Sequence, residues 1–163
     1  PTIAPSMDIQ VSSNFERLLH ELYDGDGGAV AQSMAELAGS GRFALAQGAV
    51  ARLREGFASA RSDEAGTMAT IARVVREGGP VLDPHSAIGV AAARVCRDDA
   101  SVPMIALGTA HAAKFPDAVE VACGVRPALP ARMADLFERD ERLTVVANDL
   151  AALEALVRRE RRA

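Results

Sequence analysis

Two short segments place reactive side chain types close together. Gly108-Thr109-Ala110-His111 directly follows the uninterrupted apolar run from Val102 to Leu107. Ligands in open α/β sheets lie beyond the carboxyl ends of strands, so a hydroxyl and an imidazole at that point would face a ligand. Gly108 would let the backbone approach closely, and the Thr109 hydroxyl can donate or accept a hydrogen bond. The same residues also read as an ordinary strand-to-helix turn in which Thr109 satisfies local backbone groups. The second segment is Asp83-Pro84-His85-Ser86. A helix N-terminus attracts anions, yet Asp83 would repel one, and the tetrapeptide reads equally as a helix cap with proline at the first helical position.

Other chemistries find little support. The chain holds no G-x-S-x-G elbow, no G-x-x-x-x-G-K-[ST] loop, no H-E-x-x-H and no G-x-G-x-x-G opening a helix after a strand. His20, His85 and His111 are not spaced as metal ligands, so no metal is expected, and His20 beside Glu21 reads as a surface residue. A hydrolase triad of Ser86, His111 and Asp83 is no better specified than many other triples in the composition. Lys114 is the single lysine beside seventeen arginines, leaving one candidate for an imine-forming amine. Cys96 and Cys123 form neither a metal knuckle nor a disulfide framework, which suits a reducing cytoplasm.

With 163 residues, 49% hydrophobic and 25% charged, the composition is that of a globular chain. A chain of this size buries roughly 68–70% of its unfolded surface. The formal net charge of −4 argues against nucleic acid as a partner. No apolar stretch reaches the roughly eighteen residues of a membrane helix, and no signal peptide opens the chain. It starts at Pro1 without an initiator methionine, as a trimmed chain or a piece of a longer polypeptide would.

The elements that must position these residues follow from periodicity. Phe15, Leu18, Leu19 and Leu22 predict an amphipathic helix over about 7–23. Ala-rich pieces broken by glycines then suggest a helical insertion over 25–61, which divides the chain into 1–24, 25–61 and 62–163. Ser62-Asp63-Glu64 opens a helix with Met68, Ile71 and Val75 inward, closed by Gly78-Gly79-Pro80. Ile88, Ala91, Ala92 and Val95 form the expected buried stripe after Asp83. Further helices are expected near Pro116, near Pro130 with Met133, Leu136 and Phe137 inward, and after Asn148 or Asp149 with Leu150, Leu153 and Val157 inward. Val102–Leu107 and Leu143–Ala147 read as buried strands, which makes the predicted fold class α/β, with a mainly parallel sheet flanked by helices. Arg158, Arg159, Arg161 and Arg162 complement a helix C-terminus.

Four blocks carry a family resemblance: Pro5 to Leu19 (PSMDIQVSSNFERLL), Ser62-Asp63-Glu64, Asp83 to Val90 (DPHSAIGV) and Thr109 to Glu120 (TAHAAKFPDAVE). In order and spacing they resemble the C-terminal part of the threonine synthase family. The resemblance implies a pyridoxal-phosphate enzyme of fold type II that converts O-phospho-L-homoserine and water into L-threonine and phosphate. It places the Schiff-base lysine and the cofactor phosphate loop in the N-terminal remainder of the same polypeptide, so no catalytic lysine is expected here and Lys114 is not that residue. This chain alone is expected to be inactive.

By the same resemblance, Thr109 meets the pyridine nitrogen of the cofactor, with Gly108 beside it and Asp83 and His85 bordering the site as support. A hydroxyl cannot hold that nitrogen protonated as a carboxylate would, which leaves a weaker electron sink. His111 and Lys114 are candidates for the cofactor-side loop or the substrate phosphate, and Asn14 and Arg17 for the substrate phosphate; Arg17 reads equally as a surface salt bridge. The sequence departs from the family's commonest pattern at Gly108 for serine, Ala112 for proline and Ser86 for threonine. Two alternatives stay open: a stand-alone, non-catalytic binding or regulatory module derived from the enzyme, and a related pyridoxal-phosphate lyase acting on another amino acid.

Overall fold

The computed structural model describes residues 2–9 and 11–161, which divide between 128 and 129 into two compact units. In the first, a 3₁₀ turn (Pro5–Met7) precedes six helices: α1 (Ser13–Leu22), α2 (Gly27–Ser40), α3 (Gln47–Gly56), α4 (Glu64–Arg76), α5 (Pro84–Cys96) and α6 (Pro116–Cys123). A second 3₁₀ turn (Ala112–Lys114) leads into α6. The second unit holds two 3₁₀ turns (Ala131–Met133 and Leu136–Glu138) and α7 (Leu150–Glu160).

Local chemistry sets the helix ends. Asp26, Asp63, Asp83 and Asp149 each cap a helix, their carboxylates accepting first-turn amides such as Gly66 N–H at 2.8 Å and Ala152 N–H at 2.9 Å. After α4 the chain reverses at Gly78, whose φ of +79° is left-handed. A Cβ on Gly79 would come within 2.8 Å of Val74 Cγ1, so the turn closes only around a residue without one.

Packing centres on α4, which lies against both α5 and α6. Ile71, Ala87, Ala112 and Val119 form the buried cluster, with Val81, Leu82 and Phe115 packed around it. The inward stripe of α4 is Thr67, Thr70, Ile71 and Val74; the two threonines enter the core because their hydroxyls donate back to the Asp63 and Gly66 carbonyls, both at 2.8 Å. Near the N-terminus, α1 buries Leu19 and Leu22 and packs with α2 and α3. Arg52 of α3 donates to the carbonyls of Leu22 at 2.9 Å and Glu21 at 3.3 Å and to the Asp24 carboxylate, completing the end of α1.

The structure corrects several expectations, the parallel sheet first. Among the described residues there is no strand. A strand exists only when its backbone groups pair with a neighbour, and neither apolar run finds one. Val102–Leu107 is unpaired and open, with Ile105 82% and Leu107 76% exposed, and Val145 in the second run is 88% exposed. The α/β class with a mainly parallel sheet is therefore not what this chain forms; it is helical.

Burial also differs in detail. In α5 it is the first turn, Pro84 to Ala87, that is buried, while Val95 is exposed, because α5 meets its neighbours at its N-terminal end. The helix expected near Pro130 is reduced to two 3₁₀ turns with Phe137 exposed. In α7, Leu150, Leu153 and Val157 face outward, since the second unit offers no layer to cover them. Arg158 instead pairs with Glu154 at 2.9 Å; Arg162 lies outside the described residues.

Candidate functional site

The N-terminus of α5 gathers a buried polar cluster. Asp83, in extended backbone with φ −78° and ψ 162°, swings its carboxylate over the first helical turn. It is 1% exposed and accepts from His85 N–H at 2.9 Å, His85 Nδ1 at 3.1 Å, Ser86 N–H at 3.4 Å and, in a very short contact, the Ser86 hydroxyl. Four donors from two neighbouring residues match the acceptor capacity of one carboxylate, so the charge is buried without an orphaned group. No buried side-chain nitrogen or oxygen among the described residues lacks a partner.

From this carboxylate the network runs outward twice. His85 Nε2 accepts the Ser6 N–H at 3.2 Å, which fixes the imidazole as the neutral tautomer with its proton on Nδ1. The ring packs on Phe115 with centroids 4.8 Å apart at 50°. Ser86 Oγ accepts the Thr109 N–H at 3.1 Å. The turn that supplies Ser6 is clasped by Asp8, whose carboxylate accepts Thr2 N–H at 2.7 Å; that backbone donor holds the Asp8 carboxyl below its ordinary value.

Of the residues singled out from sequence, the structure thus joins Asp83, His85 and Thr109. The Thr109 side chain is exposed and its hydroxyl has no hydrogen-bond partner among the described residues. Gly108 beside it is exposed as well, with no atom within 4 Å of where a Cβ would stand. His111 and Lys114 follow in the same loop. His111 Nδ1 accepts the Ala113 N–H at 3.1 Å and so caps the 3₁₀ turn, while Lys114 is exposed. Asn14 and Arg17 stand on α1, both exposed, and no hydrogen bond or ion pair among the described residues links them to the cluster. Arg17 lines a shallow hollow with Glu16 and His20.

Sequence reasoning missed Ser86 as a link, Ser6 as a partner of His85 and Phe115 as its ring contact. A serine three places after an N-capping aspartate is a local signal for the first; the other two are long-range. Among the described residues, no group of three or more His, Cys, Asp or Glu is arranged to hold a metal ion, and no helix is long and apolar enough to cross a membrane.

Comparison with known proteins supplies a family. The family model for the C-terminal part of threonine synthase matches residues 86–157. The threonine synthase of Pseudomonas aeruginosa is 52% identical over 96% of this chain, which covers 34% of that protein. The Corynebacterium glutamicum threonine synthase is 37% identical over 96% of the chain and 33% of its own length. Among solved structures, pyridoxal-phosphate-bound threonine synthase from Brucella melitensis superposes with a TM-score of 0.80 at 49% identity, over all of this chain and 35% of that one. The yeast threonine synthase gives a TM-score of 0.76 at 31% identity, over 97% of this chain and 36% of that one. The chain spans about a third of the length of these relatives. With its blocks in the family's order and likeness over almost its whole length, the chain belongs to the threonine synthase family and corresponds to its C-terminal part.

Proposed function

We propose that this chain is the C-terminal part of a threonine synthase that converts O-phospho-L-homoserine and water into L-threonine and phosphate. The observation that carries the reading is the likeness of the whole chain to the Brucella melitensis enzyme, at 49% identity and a TM-score of 0.80. The reaction runs in the cytoplasm, in keeping with the two free thiols Cys96 and Cys123.

The residues present fit one edge of pyridoxal phosphate. Thr109 offers an exposed hydroxyl not spent on the fold, on a backbone held from behind by Ser86, and Gly108 keeps the adjoining space clear. When bound, pyridoxal phosphate supplies an electron sink for the carbanions of the reaction. Thr109 would hold its pyridine nitrogen with a hydroxyl, which carries no fixed charge. Asp83 supports Thr109 through Ser86, and His85 ties the same carboxylate to the Ser6 turn. His111 and Lys114, in the loop after Thr109, and Asn14 and Arg17, on α1, are the cationic and polar groups available to the substrate phosphate.

The amine that anchors the cofactor belongs to the N-terminal remainder, which makes this chain inactive by itself. The test supplies the complete polypeptide separately with O-phospho-L-homoserine, L-serine and L-threonine. Release of phosphate with formation of threonine from the first is the expected result; turnover of serine or threonine with no reaction of phosphohomoserine would make it a different lyase.

A further inference from the structure

We propose that Ser86 is a positioning residue for Thr109, relaying the buried Asp83 carboxylate to the Thr109 backbone. The inference deepens the threonine synthase reading and rests on Thr109 being the residue that meets the cofactor.

The direction of the relay follows from proton counting. A serine hydroxyl has one proton and two lone pairs, and an ionised carboxylate only accepts. The contact between Ser86 Oγ and Asp83 Oδ2 therefore commits the serine proton to Asp83. What remains on Ser86 Oγ is acceptor capacity, and it is spent on the Thr109 N–H at 3.1 Å, twenty-three positions along the chain. Ser86 itself is rigidly set: it is 4% exposed, lies in the first turn of α5, and its own N–H is held by the same carboxylate.

The other end of the relay has little else to hold it. From 103 to 110 the chain is exposed or half-buried and belongs to no helix. Among the described residues, the bond to Ser86 is the one hydrogen bond that ties this segment to the body of the unit. A capping role alone does not account for it, because Asp83 already caps α5 through the amides of His85 and Ser86. The hydroxyl is the added feature, and it determines where the Thr109 backbone sits and so where its side chain is presented.

The test uses the complete enzyme with pyridoxal phosphate bound and compares Ser86→Ala with Ser86→Thr, which keeps the hydroxyl. Three quantities are read: exchange of the Thr109 amide hydrogen, the absorbance band of the bound cofactor, and kcat and KM for O-phospho-L-homoserine. Ser86→Ala should speed Thr109 amide exchange roughly tenfold, as loss of one hydrogen bond implies, shift the band and lower kcat, and Ser86→Thr should restore all three. Unchanged Thr109 exchange in Ser86→Ala overturns the relay, and so does faster exchange with the band and kcat unmoved. Should Ser86→Ala fail to fold, the wild type still decides: a Thr109 amide exchanging at the rate of an open chain contradicts the bond. A wild-type enzyme inactive on phosphohomoserine would sink the threonine synthase reading instead, whatever the exchange data show.

Discussion

His85 and Asp83 stand two positions apart, yet their side chains meet, with Nδ1 3.1 Å from Oδ1 inside the first turn of α5. The contact arises because an N-capping residue keeps extended backbone and turns its carboxylate back over the helix start. It leaves the other imidazole nitrogen as an acceptor, and that nitrogen takes the Ser6 amide, seventy-nine positions away. One buried carboxylate thus holds two distant stretches: the N-terminal turn through His85, and the Thr109 loop through Ser86.

Removing that carboxylate should be expensive. Asp83→Ala leaves the His85 amide, the imidazole Nδ1 and the Ser86 groups without their acceptor in a site that is 1% exposed. A loss of about 2–3 kcal/mol is expected, from a lost cap together with unsatisfied buried donors. Urea unfolding of the complete protein measures it; a midpoint equal to that of the wild type would contradict the network.

His85→Phe separates packing from hydrogen bonding. A ring packed on Phe115 is retained, while the acceptor for Ser6 and the donor to Asp83 are both gone. The Ser6 amide should exchange faster, with stability lowered by about 1–3 kcal/mol. A Ser6 amide as protected as before would mean that the turn at Pro5–Met7 is held by something else.

The clasp between Thr2 and Asp8 predicts an acid response with a definite sign. The Thr2 backbone amide, helped by its hydroxyl, holds the Asp8 carboxyl below the ordinary value of 3.8. A carboxyl depressed by folding contributes stability that is fully present above its unfolded value and is lost as the pH falls through the lower folded one. The clasp is therefore closed at neutral pH and opens only below about pH 3.8. An NMR titration of the Asp8 carboxyl carbon should give a midpoint under 3.8; one at or above it would show that Thr2 does not hold the group.

Most helix starts and part of the core were legible in the sequence: Leu19, Leu22 and Ile71 are buried as their spacing predicts, although the first helix begins at Ser13 and not near Met7. Capping is settled within three residues, so Asp83 could be read directly, the starts at Ser62-Asp63-Glu64 and at Asn148 or Asp149 to within a residue, and the stop at Gly78-Gly79 as well. A strand, by contrast, needs a partner, and periodicity in Val102–Leu107 says nothing about what lies beside it. The inward face of α5 depends in the same way on what meets it: of the stripe Ile88, Ala91, Ala92 and Val95, the first three are half-buried and Val95 is exposed, while full burial falls at Pro84–Ala87. Within the candidate site, Asp83, His85 and Thr109 were marked by type and place, and the structure joins them. Ser86, which connects Asp83 to Thr109, stands in the sequence only as a departure from the family's threonine, because its second partner is twenty-three positions away. Asn14 and Arg17 enter through the family resemblance, and no bond among the described residues joins them to the cluster.

The most direct test of the threonine synthase reading follows the oxygen atoms. In that reaction the bond broken lies between Cγ and the phosphate oxygen, and the incoming water becomes the hydroxyl on Cβ. The complete enzyme, run on O-phospho-L-homoserine in water enriched in heavy oxygen, should yield threonine carrying one labelled hydroxyl and phosphate released without label. Labelled phosphate with homoserine as the other product would reveal a phosphatase, and would contradict the account.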